Sequence, residues 1–94
     1  MYIILVYDIN LENKEGSRIL RNVYKICKKY LVHIQNSVFE GELLESQLLK
    51  LKKELKMYIR EDEDSVIVFK SRSQKWMEKV FFGKVDDDVT DNFC

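Results

Sequence analysis

The chain has no proline, and its 94 residues include only three glycines, two cysteines and a single histidine. So few glycines leave no spaced-glycine loop to cradle a phosphate, and the lack of proline implies few irregular loops. Cys27 and Cys94 make neither a metal nor a redox spacing. Cys27 falls among apolar helix positions and reads as a small core residue, and Cys94 is the last residue. No HExxH, CxxC or Ser-His-Asp arrangement occurs. The opening apolar run over 2–9 is too short to span a bilayer and is interrupted by Asp8. With no basic n-region and no small-residue cleavage site, a cytoplasmic protein without membrane contact is expected.

What is present is a globular composition, 46% hydrophobic and 12% aromatic. A chain this short makes one domain with a thin core, which oligomerisation would help. Net charge is zero but unevenly placed: residues 1–60 carry eleven Lys/Arg against seven Asp/Glu, and residues 61–94 carry five against nine. A neutral chain of this kind can still present a basic face to nucleic acid.

Tyr2 to Asp8 reads as a central strand, apolar without alternation. A polar loop over 10–16 leads to Ser17, a plausible N-cap, and a helix to about Tyr30. That helix carries Leu20, Val23, Tyr24, Cys27, Tyr30 and Leu31 on one face and Arg18, Arg21, Lys25, Lys28 and Lys29 on the other. Lysines suit the last turn of a helix, whereas Arg18 and Arg21 in its first turns go against the dipole and need another reason. Residues 32–40 alternate as one strand, with Val32, Ile34 and Val38 on one side and His33, Gln35, Ser37 and Phe39 on the other. Phe39 is then a large apolar group on a polar side, suited to a neighbour or a partner chain. Gly41 ends this strand. A second helix runs from about Leu43 to Ile59, with Leu44, Leu48, Leu51, Leu55 and Tyr58 as its stripe. After an acidic turn, Ser65 to Lys70 reads as a third, central strand and 76–82 as a fourth, with Trp76, Val80 and Phe82 on one face. The expected fold is α+β, a ferredoxin-like βαββαβ plait over 1–84 with an antiparallel sheet and two helices on one face. Residues 85–94 form an acidic tail that can add an edge strand. One sheet face is left uncovered, and a homodimer would cover it.

For chemistry, Asp8 stands out. A carboxylate after a fully apolar run needs a cation, donors or water, with a turn cap as the bland alternative. Magnesium takes oxygen ligands, keeps several waters and often needs only one or two carboxylates. One Asp per chain is too few for a two-metal hydrolase, but two Asp8 side chains across a two-fold axis could share an ion, with Arg18 or Arg21 neutralising phosphate charge. His33 reads first as a surface histidine and second as a phosphate contact. The Asp86–Asp88 run reads as a solvated tail.

Tyr7-Asp8-Ile9 closing the first strand, Arg18 to Arg21 opening the first helix and Gln35-Asn36-Ser37-Val38-Phe39-Glu40-Gly41 together resemble the CRISPR-associated protein two family. That resemblance spans roughly residues 1–84 and implies small ferredoxin-like homodimers that partner the CRISPR integrase during spacer acquisition. It places the family's metal aspartate on Asp8, its preceding tyrosine on Tyr7, its helix arginine on Arg21, and its serine and phenylalanine on Ser37 and Phe39. Ile19 and His33 stand where some members carry arginines, which weakens the grip on phosphate. Two functions follow: a magnesium-dependent endonuclease on RNA or double-stranded DNA, and a DNA-binding scaffold that spaces integrase dimers. With one carboxylate and no evident general base, the scaffold is favoured as the essential role. The plait alone leaves open a toxin-like ribonuclease or a small-molecule regulatory domain.

Overall fold

A computed structural model describes residues 1–72, 75, 78, 80 and 82. Its elements are β1 (Tyr2–Asp8), α1 (Lys14–Tyr30), β2 (Val32–Gln35), β3 (Val38–Glu42), α2 (Glu45–Lys56) and β4 (Ser65–Ser71). The four strands form one antiparallel sheet in the order β2-β3-β1-β4. With one helix after β1 and one after β3, this is the βαββαβ ferredoxin-like plait.

The plait is the expected one, but its strands are distributed differently. Residues 32–40 are a hairpin and not one strand. Gln35 pairs with Val38, leaving Asn36 and Ser37 as a two-residue turn. Asn36 has φ 45, a left-handed conformation that asparagine tolerates better than most residues. Gly41 does not end a strand but pairs with Ile3 inside β3. Among the described strands β4 lies at the sheet edge beside β1, not centrally. Its Val66 and Val68 are partly buried, while Ile67 and Phe69 are each 53% exposed. The strand expected over 76–82 falls largely outside the described residues, and the tail over 85–94 wholly so.

α1 starts four residues earlier than expected. Asn13 caps it, its side-chain oxygen accepting the Gly16 N–H at 3.1 Å. A Cβ on residue 16 would fall 2.2 Å from the Asn10 carbonyl oxygen, so only glycine lets the first turn lie against the loop after β1. The early start puts Arg18 and Arg21 beyond the first turn, where the dipole penalty has faded. The inward face of α1 is Ile19, Val23, Ile26 and Cys27, and Leu20 and Tyr24 sit at its flank. Ile19 is 4% exposed, so this packing has no room for an arginine there. α2 buries Leu48, Leu51 and Leu55, whereas Leu44, expected on its stripe, is exposed.

Both helices pack on the sheet face that carries Ile3, Leu5, Tyr7 and Phe39. Strand alternation puts Tyr2, Ile4, Val6 and Asp8 on the opposite face. The buried Tyr2 phenol there is held well above its usual pKa by burial first and by its hydrogen bond to Glu40 second. Among the described residues no helix is long and apolar enough to cross a membrane.

Candidate active site

Asp8 ends β1, paired in register with Ser65 of β4. Ile9 behind it is buried, which anchors the strand end, while Asp8 itself is exposed. Its side chain makes no hydrogen bond or ion pair among the described residues. The turn-cap alternative therefore does not describe it, because capping of α1 falls to Asn13. Among the described residues no three His, Cys, Asp or Glu side chains gather as a metal site. Asp8 thus stands alone as a free carboxylate at the end of β1 among the described residues.

Tyr7, Arg21 and Ser37 come together on the helix side of the sheet. With Leu20, Tyr24, Lys25 and Asn36 they line a groove of about 600 Å³ between α1 and the β2–β3 turn. The turn is pinned to the end of β1, since Ser37 accepts the Tyr7 N–H at 3.2 Å through its backbone oxygen. Burial pushes the Tyr7 phenol up to about 12, with Cys27 and Tyr24 adding to it, so Tyr7 stays protonated and can donate but not act as a base at neutral pH. Asp8 does not line this groove. Adjacent strand residues face opposite ways, so Asp8 and the groove lie on opposite faces of the sheet. Arg21 of the same chain therefore does not converge with Asp8 in the way the sequence suggested.

His33 is partly buried, with its ring 4.9 Å from Phe39 and 5.2 Å from Tyr24 between centroids. Its Nε2 lies 2.8 Å from the Asn36 carbonyl oxygen. A carbonyl can only accept, so that nitrogen carries the proton and closes the hairpin turn. Phe39 is not on a polar side at all. It is fully buried, packed on Tyr7 at 6.0 Å and Tyr24 at 5.6 Å, and belongs to the core.

The basic face of α1 is sharper than its composition suggested. Lys14, Arg18, Arg21, Lys25 and Lys28 recur at helical spacing on one face, all exposed and with no ion pair among the described residues. At the helical rise the row runs about 20 Å. Arg18 belongs to it but not to the groove. Lys29 does not belong to it: it pairs with Glu54 of α2, which also accepts from the Tyr30 hydroxyl. Lys28 instead leans over the Tyr24 ring at 5.6 Å. Tyr24, Lys25 and Asn36 were missed as groove residues, although Tyr24 and Lys25 stand three and four positions after Arg21.

The loop after β1 is held by a polar cluster that the sequence did not flag. Arg60 donates from Nη2 to the Asn10 carbonyl at 2.8 Å, from Nη1 to Asn13 Oδ1 at 2.9 Å and from Nε to Asp64 Oδ2 at 2.9 Å. Asp64, buried, accepts the Asn10 N–H on Oδ1 at 3.0 Å and the Arg60 N–H on Oδ2. The Arg60 guanidinium holds the Asp64 carboxyl down at about 2, against an opposing burial effect and helped by the two backbone donors.

The family model described as CRISPR associated protein Cas2 matches residues 1–79. The chain is 57% identical over 93 residues to the CRISPR-associated endoribonuclease Cas2 of Fusobacterium nucleatum, covering 99% of this chain and 86% of that one. It is 40% identical over 90 residues to the CRISPR-associated endoribonuclease Cas2 2 of Moorella thermoacetica, covering 96% and 98%. The crystal structure of Streptococcus pyogenes Cas2 superposes with a TM-score of 0.73 at 31% identity, covering 86% of this chain and all of that one. The plait and a close likeness in sequence over nearly the whole chain agree, and the chain belongs to the Cas2 family of CRISPR-associated proteins.

Proposed function

We propose that this chain works in CRISPR adaptation as a homodimer that binds nucleic acid along α1 and bridges integrase dimers, and that its two Asp8 carboxylates meet to make a magnesium-dependent endonuclease site for RNA or double-stranded DNA. The observation that carries the reading is the place of Asp8. It is exposed and unpaired among the described residues, on the same sheet face as the half-exposed Ile67 and Phe69. A second copy packed on that face covers those side chains and brings a second Asp8 near the first.

The residues fit magnesium as half a site each. Hard cations take exposed carboxylate oxygens and accept water and phosphate for the rest, and the Asp8 oxygens are uncommitted. When bound, the ion would polarise a phosphodiester oxygen as a Lewis acid. The chain's own work is then divided by sheet face. Asp8 would hold the ion on one face. On the other, Arg21 and Lys25 neutralise backbone phosphates, and Leu20 and Tyr24 form the apolar wall beside them. Tyr7 holds its proton, and the Nε2 proton of His33 is committed to the turn, which leaves Nδ1 as the one basic nitrogen of that ring, on the helix face and away from Asp8. This favours binding and bridging as the essential role, with cleavage secondary. The names of the relatives support an endoribonuclease activity.

Asp8→Asn tests the division. The variant should lose magnesium-dependent cleavage and keep nucleic-acid affinity and spacer acquisition. Retained cleavage would refute the metal site, and lost acquisition would refute the scaffold. Affinity that does not fall with added salt would refute the α1 surface, and it is the behaviour that a small-molecule regulatory domain predicts.

A further inference from the structure

We propose that Arg60 and Asp64 are positioning residues for Asp8, acting as a latch that fixes the end of β1 relative to the start of α1. The inference rests on the reading of Asp8 as a metal carboxylate. An exposed aspartate at a strand end keeps its rotamers and a mobile backbone unless the chain on both sides is held, and a metal or phosphate site needs its ligand placed within a fraction of an ångström.

Here both sides are held by one short stretch. Before the loop, Asp8 pairs in register with Ser65. Two residues on, both backbone groups of Asn10 are taken: its N–H by Asp64 Oδ1 at 3.0 Å, its carbonyl by Arg60 Nη2 at 2.8 Å. Arg60 and Asp64 are themselves joined through Nε to Oδ2 at 2.9 Å and Nη2 to Oδ1 at 3.0 Å. Arg60 Nη1 then reaches Asn13 Oδ1, which also accepts the Gly16 N–H, and Glu63 Oε2 at 2.9 Å. The chain of contacts runs from the residue beside Ser65, across the loop after Asp8, to the first turn of the helix that carries Arg21.

Stability alone does not ask for this arrangement. A charge pair taken out of water can often be replaced by apolar side chains at no loss, so what the pair specifically supplies is geometry. The forked guanidinium satisfies a carboxylate, a backbone carbonyl and a side-chain amide oxygen at once, a pattern lysine cannot reproduce. The Lys29–Glu54 pair between the helices has no connection to Asp8 and serves as the internal control.

The test uses the full-length protein as wild type and as Arg60→Lys, Asp64→Asn, Glu54→Gln and Asp8→Asn. Cleavage is measured in magnesium, and Mn2+ alone is titrated while paramagnetic broadening of the Asp8 and Asn10 amide signals is followed. Arg60→Lys should lower kcat about tenfold or more with KM within about twofold, and raise the Mn2+ midpoint several-fold. Asp64→Asn, which keeps the shape and an acceptor for the Asn10 N–H, should move the same readouts in the same direction and carries the test if Arg60→Lys does not fold. Glu54→Gln should lower the melting temperature and leave kcat and the Mn2+ midpoint unchanged. With Asp8→Asn inactive, a wild-type kcat and Mn2+ midpoint in both latch variants would overturn the latch and leave the Asp8 reading intact. Asp8→Asn cleaving and broadening like the wild type would overturn the Asp8 reading and the latch with it.

Discussion

Phe39 and Asp64 show how far a single residue's environment departs from its neighbours in sequence. Phe39 alternates in sequence with His33, Gln35 and Ser37 and looks like an outward-facing contact, yet it has no exposed surface and touches Tyr7, Tyr24 and His33. Phe39→Ala should therefore cost about 3–5 kcal/mol in denaturant unfolding, and a loss below 1 kcal/mol would mean that the ring is not core. Asp64 lies in a run of four acids, and nothing local marks it as different from Glu61 or Asp62. Its folded carboxyl titrates at about 2, below the unfolded value, so its contribution is present above the unfolded pKa and is lost as pH falls through the folded one. The melting-temperature gap between wild type and Asp64→Asn should thus be flat above about pH 5 and close towards about pH 2. A gap that widens on acidification would contradict the pairing with Arg60. Cys27 is the quiet case: fully buried, its thiol pushed up to about 12 by burial, and unreactive at neutral pH.

At the scale of elements, β1 and the course of α1 were legible because each has one strong pattern, an apolar run and a helical stripe. The hairpin was not. Val32 to Glu40 alternates well enough to pass for one strand, and only Asn36, able to adopt φ 45, turns it back, with a register shift between His33 and Gln35 absorbing the difference. The plait was nevertheless reached, because the count of four strands was made up with one expected over 76–82, largely outside the described residues. The start of α1 was missed for a similar reason. Asn13 was one polar residue among several, and the contacts that hold its side chain in place come from 47 and 50 residues away, from Arg60 and Glu63. The cationic face of α1 was visible in sequence, but its membership was not. Lys29 looks like Lys28 until α2 places Glu54 against it. Arg21→Ala and Lys25→Ala should each flatten the salt dependence of nucleic-acid binding by about one unit of slope per contact. Lys29→Ala should leave that slope unchanged and lower the melting temperature, and equal slopes for all three would remove the distinction.

At the scale of the whole molecule, the sheet separates two kinds of surface. Cations and the groove lie with the helices, whereas Asp8 shares the other face with Ile67 and Phe69. The proposed nucleic-acid-binding side and the proposed pairing side can then be altered independently, which is why binding is expected to survive the loss of Asp8. In the proposed reading it is also why one chain supplies only half of the metal site. The most direct measurement of that claim is cleavage by re-associated mixtures of wild-type and Asp8→Asn chains. If each site needs both carboxylates, an equal mixture should keep about a quarter of the wild-type rate, because only that share of randomly paired dimers carries two Asp8 side chains. A rate of about half, linear in the wild-type fraction, would show that each chain cleaves alone and would contradict the shared site.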